Sequence, residues 1–251
     1  MEALYRFCWT ADEISDSSDS LTLKKQKLQI FKKELAACLA GKSQKPLFKN
    51  LEETIRLFNL SREPLLRILL GVERDLKPVR FKKFSELHRY ALQVAGGPGL
   101  ASMEIFGFNA AAHQTYAENL GVFLQIVNMT RDYREDMALG RQYFPTEDFK
   151  KFHLTPALIE ENNSHWVSFV EFQLNRAWTF LEKARGSLTR RQRSQLATAE
   201  AITAVYIKLF QKLRIYPRAI LKGKTTLSGP EKILSVLGAA GRCFLWRWAG
   251  D

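Results

Sequence analysis

The run 116–145 reads YAENLGVFLQIVNMTRDYREDMALGRQYFP. Apolar residues recur at helical steps through 110–138, which predicts one long amphipathic helix. Within it Gln125, Asn128, Asp132 and then Glu135 or Asp136 repeat at the same steps. Polar groups on a strongly apolar helix need partners when they are buried. The stripe therefore reads in one of two ways: the lining of a site built from amides and carboxylates, or a hydrogen-bond network between helices. Asp132 and Asp136 lie four apart, so a helix projects both carboxylates from one face.

Outward from this run the period stays helical. Leu21, Leu23, Leu28, Phe31, Leu35, Cys38 and Leu39 recur with lysines in the gaps, predicting a helix over 21–40. Ser61 ahead of Arg62, Glu63 and Pro64 reads as a helix start, because proline is tolerated in the first turn. Residues 82–107 are broken by Gly96-Gly97-Pro98-Gly99, so a kink or two helices is expected there. Pro145 and Pro156 bracket a loop, and long helices are predicted over about 157–185 and 189–213. The serine-rich stretch 15–20 reads as a short loop. Strand alternation, hairpin pairs and fixed-period repeats are absent from the sequence. No composition break marks a linker. The prediction is one all-α domain over 1–251, with long helices around a central apolar cavity deep enough for an elongated ligand.

The chain has 251 residues, 46% apolar and 25% charged, which excludes disordered and collagen-like classes. Three cysteines, Cys8, Cys38 and Cys243, show no CxxC or Cys/His spacing, which argues against a zinc site or a disulfide scaffold and for a reducing compartment. The start of the chain lacks a secretory signal pattern, and no uninterrupted apolar run is long enough to span a bilayer. The net charge of +12 is unevenly spread: residues 183–251 hold 14 basic and 3 acidic residues. Such asymmetry fits a polyanionic partner, whether nucleic acid, anionic membrane or a phosphorylated small molecule.

A second carboxylate pair, Asp12 and Asp16, repeats the i,i+4 spacing. Like charges so placed repel by a few tenths of a kcal/mol in a helix, a cost that a cation between them removes. Mg²⁺ takes oxygen ligands and is commonly held by one or two carboxylates together with substrate phosphates. Either pair could equally be a solvated helix face. His88, His113, His153 and His165 show no spacing suited to metal or triad chemistry and read as structural.

These motifs together resemble the squalene/phytoene synthase family. The family pattern of a Gly, a Gln, Asn-x-x-Arg-Asp-x-x-x-Asp and Gly-Arg-x-Tyr-x-Pro is matched at Gly121, Gln125, Asn128, Arg131, Asp132, Asp136, Gly140, Arg141, Tyr143 and Pro145. ALYRFCWTADEISD resembles the first aspartate motif; GVERDL (71–76), YALQVAGGPGLASMEIFG (90–107), Tyr206 and LSGPEKI (227–233) resemble further family segments. The likeness covers nearly the whole chain, with a flavour closest to bacterial presqualene diphosphate synthases of the hopanoid route.

The resemblance implies the isoprenoid synthase fold and a prenyltransferase that condenses two prenyl diphosphates head to head, releasing diphosphate. Farnesyl diphosphate would give presqualene diphosphate or squalene; geranylgeranyl diphosphate would give phytoene. It further implies that Asp12, Asp16, Asp132 and Asp136 hold Mg²⁺, and that Gln125, Asn128, Arg131, Arg141 and Lys224 bind the substrate diphosphate. Tyr90 and Tyr206, with Asp132, would be the catalytic residues, the tyrosines acting on a carbocation through their π-faces; read from the residues alone, both tyrosines are equally ordinary core aromatics. NADPH enters only if the reaction runs on to squalene. Two departures stand out: Trp9 occupies the place of a family arginine, and Lys224 that of another. The chain also begins almost at the first motif, without the helix that precedes it in the family. These departures keep open a second reading, an impaired homologue acting as an interaction or assembly factor. Nucleic acid is not expected as a partner, since no recognised binding motif accompanies the basic quarter. A cytoplasmic, bacterial protein with peripheral attachment to anionic membrane is expected, from that basic quarter and the aromatic-basic run 243–248.

Overall fold

The structure, a computed structural model, describes residues 1–155, 159 and 164–248. Pro156 and most of 157–163, where a loop boundary and a helix start were expected, lie outside the described residues, as does the side chain of Trp248. The helices are α1 (Glu2–Asp16), α2 (Leu21–Leu39), α3 (Pro46–Phe58), α4 (Arg62–Asp75), α5 (Phe84–Ala91), α6 (Gly97–Ile105), α7 (Ala111–Arg131), α8 (Tyr133–Ala138), α9 (Thr146–Lys151), α10 (Ser164–Gly186), α11 (Arg190–Gln195), α12 (Ala197–Ile215) and α13 (Gly229–Trp248). No strand occurs among the described residues; Arg80 and Gln142 form one isolated parallel bridge. The all-α class expected from the sequence is the class observed. Internal contacts group the chain into two compact units: Met1–Val79 with His88–Gly121, and Arg80–Leu87 with Val122–Asp251.

In the first unit, α1 buries Leu4, Phe7, Ala11 and Ile14, one face of a 3.6-residue period. Phe7, Phe31 and Phe48 meet there with ring centroids 5.0–6.3 Å apart. Such aromatic pairs contribute about 1 kcal/mol each beyond their burial. Burying that face turns Tyr5, Trp9, Asp12, Glu13 and Asp16 outward. Ser20 caps α2, its hydroxyl accepting from Leu23 N at 3.3 Å. Ser61 opens α4 as expected, but spends its N–H and O–H on Glu104 (2.6 and 2.8 Å) instead of capping its own helix. The glycine-proline break takes the form of a π-type turn, Leu92–Gly96, running directly into α6 with Pro98 in its first turn. The helical path is widened there, not ended. Gly121 of α7 packs on that turn so closely that a Cβ would lie 2.9 Å from Ala95 C and Gly96 N.

In the second unit, α10 buries Trp166, Phe169, Leu174 and Ala177. Trp166 donates Nε1–H to Pro217 O at 2.9 Å. Arg176 forks onto Asp148 at 2.6 and 3.0 Å while lying over the rings of Phe84 and Phe172. Two predicted helices are each divided. The 110–138 helix opens at Asp132 (φ −95°, ψ 7°), and the 189–213 helix opens at Leu196 (φ −100°, ψ 43°). Consecutive residues on a regular helix do not face each other; the opening at Asp132 lets Arg131 and Asp132 pair side by side. The helix α13 was not foreseen, although Ser228 and Glu231 form a capping box: Ser228 N donates to Glu231 Oε2 at 2.7 Å and Glu231 N to Ser228 Oγ at 3.4 Å.

Candidate functional site

Two groups of the expected site residues lie one in each unit. In the first unit, Asp12 and Asp16 project from the last turns of α1, which carries no basic residue in its final turn. Carboxylates at a helix C-terminus work against the macrodipole, so α1 holds them there at a cost. Asp75, the last residue of α4, is a third carboxylate close enough to act on Asp12. Asp12 stays open to solvent on one side. Crowding by protein atoms, then the charges of Asp16 and Asp75, push its carboxyl pKa up to about 6. Tyr90, on α5, is 2% exposed and donates its hydroxyl to Asp75 Oδ1 and Oδ2 at 2.9 and 2.7 Å. Asp75 stands in the GVERDL segment, where no acid three or four residues away marks it out.

The second group is built on the end of α7 and its continuation. Val122, Phe123, Ile126, Val127 and Met129 are buried, leaving Gln125 and Asn128 half-buried on another side. Asn128 Oδ1 accepts from Tyr206 Oη of α12 at 3.0 Å. Arg131 grips Asp132 with Nε on Oδ1 at 2.8 Å and Nη2 on Oδ2 at 2.5 Å. That hydrogen bonding raises the Arg131 pKa above its ordinary value against the opposing effect of burial. Lys224 Nζ lies 3.1 Å from Asp132 Oδ1 and 3.3 Å from Glu135 Oε2. Asp136 N bonds Asp132 O at 2.9 Å, so the i,i+4 relation survives the opening at Asp132. Arg141 N bonds Asp136 O at 2.8 Å, placing Arg141 beside the second aspartate. Glu135, left open by the sequence pattern, shares Lys224 with Asp132. One residue along from the aspartates, Tyr133 and Met137 line a cavity of about 510 Å³ with Phe149, Leu154 and Leu221.

Burial, then the charge of Asp12, push the Cys8 thiol up to about 12, and all three cysteines are free. Among the described residues no three carboxylate, imidazole or thiol groups converge into a ready-made metal cage. The donor set of the first unit nevertheless suits a hard divalent cation that takes its remaining ligands from a diphosphate. Asp12 and Asp16 offer oxygen donors, and burial first, then the charges of Asp16 and Asp75, raise the Asp12 pKa. In the second unit Asp132 is already engaged by two side-chain cations, Arg131 and Lys224, which are themselves phosphate-binding types.

The profile of the squalene/phytoene synthase family matches residues 1–231. The chain belongs to that family. Its members are isoprenoid synthases of the prenyltransferase type. The chain is similar to 15-cis-phytoene synthase of Synechocystis sp., 26% identical over 92% of this chain and 73% of that protein. It is 26% identical to a chloroplastic phytoene synthase of an Oncidium hybrid cultivar, over 97% of this chain and 61% of the relative. It is 30% identical to a chloroplastic phytoene synthase of Narcissus pseudonarcissus, over 74% and 46%. The chain thus spans well under two thirds of the length of some of these relatives. Two solved structures share the fold. Squalene synthase HpnC of Alicyclobacillus acidocaldarius has a TM-score of 0.67 at 22% identity, over 98% of this chain and 81% of that one. A dehydrosqualene synthase solved in complex with a ligand has a TM-score of 0.80 at 22% identity, over 95% and 84%. Among the described residues, no helix is long and apolar enough to cross a membrane.

Proposed function

We propose that this chain is a Mg²⁺-dependent head-to-head prenyltransferase, condensing two molecules of farnesyl diphosphate to presqualene diphosphate with release of diphosphate. The observation that carries the reading is the Asp12/Asp16 pair at the end of α1, with Asp75, hydrogen-bonded by the buried phenol of Tyr90, acting on Asp12. Asp12 and Asp16 would hold metal in one unit, Asp132 and Asp136 in the other. Bound Mg²⁺ supplies Lewis-acid neutralisation of charge on the departing diphosphate. A diphosphate presents Arg131 and Lys224 with an anion richer in charge than Asp132, so both cations turn to it and release the aspartate for ligation. Arg141, Gln125 and Asn128 add contacts from the same stretch. Tyr90, its hydroxyl fixed by Asp75, presents its ring rather than a mobile proton to a neighbouring cation. Tyr206, fixed by Asn128, does the same. The largely apolar lining of the cavity beside Tyr133, with Arg134, Gln142 and Thr155 among it, suits a prenyl chain. NADPH would enter only if the reaction ran on from presqualene diphosphate to squalene.

Incubating the purified protein with farnesyl diphosphate and Mg²⁺, and identifying products by mass spectrometry, tests the reading. Presqualene diphosphate is expected from the wild type and not from Asp12→Ala or Asp132→Ala. Unchanged substrate with a folded wild type would overturn it. The names of the relatives support a second reading, geranylgeranyl diphosphate as substrate and phytoene as product; the same assay with that substrate separates the two. We also infer peripheral attachment to anionic membrane, which suits a substrate with a long apolar tail and the basic final quarter of the chain.

A further inference from the structure

The final helix carries a surface that the proposed reaction does not use. On α13 the side chains of Ile233, Leu234, Leu237, Phe244 and Leu245 are each 60–68% exposed. Their spacing of i, i+1, i+4, i+11 and i+12 sets them on one side of the helix, in two patches joined by the small residues Ala240 and Gly241. The opposite side buries Ala239 and Cys243, and α13 packs against α11 and α12. The Arg193 guanidinium lies 4.6 Å from the Trp246 ring centre and ties down the far end. The stripe is therefore the outer face of an anchored helix.

Beside the stripe, Leu234 borders a groove of about 330 Å³ formed with α10 and α12. Arg185, Lys208 and Arg242 line it, with Trp178 at one side. Among the described residues no acidic side chain lines the groove; Glu182 lies nearby, accepting from Trp178 Nε1 at 3.0 Å. From Lys232 to Arg247 the helix contains no acid at all.

We propose that α13 and this groove form an anionic-phospholipid site: the stripe enters the acyl boundary while Arg185, Lys208 and Arg242 take a phosphate headgroup. The inference deepens the peripheral attachment inferred above and does not depend on the reaction. Charge complementarity selects the occupant. An apolar helix face flanked by cations matches a lipid interface, where apolar burial and headgroup attraction act together. A second copy would bring two strongly basic faces together, since 14 basic and only 3 acidic residues fall in 183–251.

Co-sedimentation with vesicles of phosphatidylcholine alone, or mixed with phosphatidylglycerol, tests the site. The probes are the wild type, Leu234→Glu/Leu237→Glu on the stripe and Lys208→Gln/Arg242→Gln in the groove. All four positions are exposed, and circular dichroism checks that the variants fold. The wild type should partition onto the mixed vesicles and poorly onto phosphatidylcholine. Each groove cation removed should weaken partitioning about fivefold at low salt, and the stripe variant should lose it at any salt. If the wild type partitions and both variants follow it unchanged, peripheral attachment stands and this site is overturned. If the wild type stays in solution with both vesicles, both inferences fall. If light scattering shows a dimer that the stripe variant alone dissolves, with no vesicle binding, the stripe belongs to a second copy and the lipid site is overturned.

Discussion

Tyr90 donates its hydroxyl to both carboxylate oxygens of Asp75, at 2.9 and 2.7 Å, while Asp75 also bears on the charge of Asp12. One residue thus links the buried phenol to the first aspartate pair. A hydrogen bond to a charged acceptor contributes about 1.5–3 kcal/mol. Asp75→Ala and Tyr90→Phe should each lower kcat about ten- to hundredfold. If the two act as a unit, the double variant falls no further than the worse single one. Steady-state kinetics on the three variants check this, and additive losses would refute the coupling.

Asp12 gives a prediction in pH. Its carboxyl pKa is raised from 3.8 to about 6 by crowding first and by Asp16 and Asp75 next. Below 3.8 the group is protonated folded and unfolded alike and contributes nothing. As pH climbs from 3.8 towards about 6, the unfolded chain sheds the proton that the folded chain keeps, so stability falls, and the loss is complete above that value. Solvent on one side of the carboxyl limits the effect to about 1 kcal/mol. Asp12→Asn should therefore melt higher than wild type at neutral pH and show a flatter pH dependence in thermal unfolding. Added Mg²⁺ should raise the wild-type Tm at neutral pH, chelation should reverse the rise, and Asp12→Asn/Asp16→Asn should show neither response.

The helices themselves were legible because their apolar residues keep a 3.6-residue period, as Leu28, Phe31, Leu35 and Cys38 do along α2. The π-type turn at Leu92–Gly96 was legible as a disturbance but not as a shape, since glycine and proline announce a break without fixing its geometry. Helix α13 escaped because its outer side is as apolar as its inner one, which blurs the periodic signal. Asp12, Asp16, Asp132 and Asp136 stood out through local spacing. Asp75 did not, because an acid at the end of a charged helix looks like any solvated residue. The pairing of Lys224 with Asp132 joins positions far apart in sequence, and no local pattern reports it.

Gly121 leaves no room for a side chain against neighbouring backbone. A methyl group there meets backbone, Ala95 C and Gly96 N at 2.9 Å, and neither can swing aside. Gly121→Ala should destabilise by about 1–3 kcal/mol and lower Tm by several degrees. Gly186, with nothing within 4 Å of its added Cβ, is the control: alanine there should leave Tm unchanged or slightly higher. Equal shifts in the two variants would rule out the close approach as the cause.

Asp132 is held by two cations of different shape, and they should fail differently. Arg131 contacts both carboxylate oxygens as a planar fork, whereas Lys224 reaches Oδ1 alone and shares itself with Glu135. Lys224 is also the more exposed of the two, so its ion pair adds less than about 1 kcal/mol to folding. Lys224→Ala should leave Tm almost unchanged but raise KM for the prenyl diphosphate about tenfold, because the substrate phosphate then has one cation fewer while the fold is intact. Arginine at that position restores the charge and adds a fork, so Lys224→Arg should hold KM at or below the wild-type value. Arg131→Lys keeps charge but loses the two-point grip, and should lower kcat more than it raises KM because Asp132 is then no longer oriented. Kinetics in parallel with thermal unfolding separate these outcomes. A fall in Tm for Lys224→Ala as large as that for Gly121→Ala would show that Lys224 serves the fold rather than the substrate.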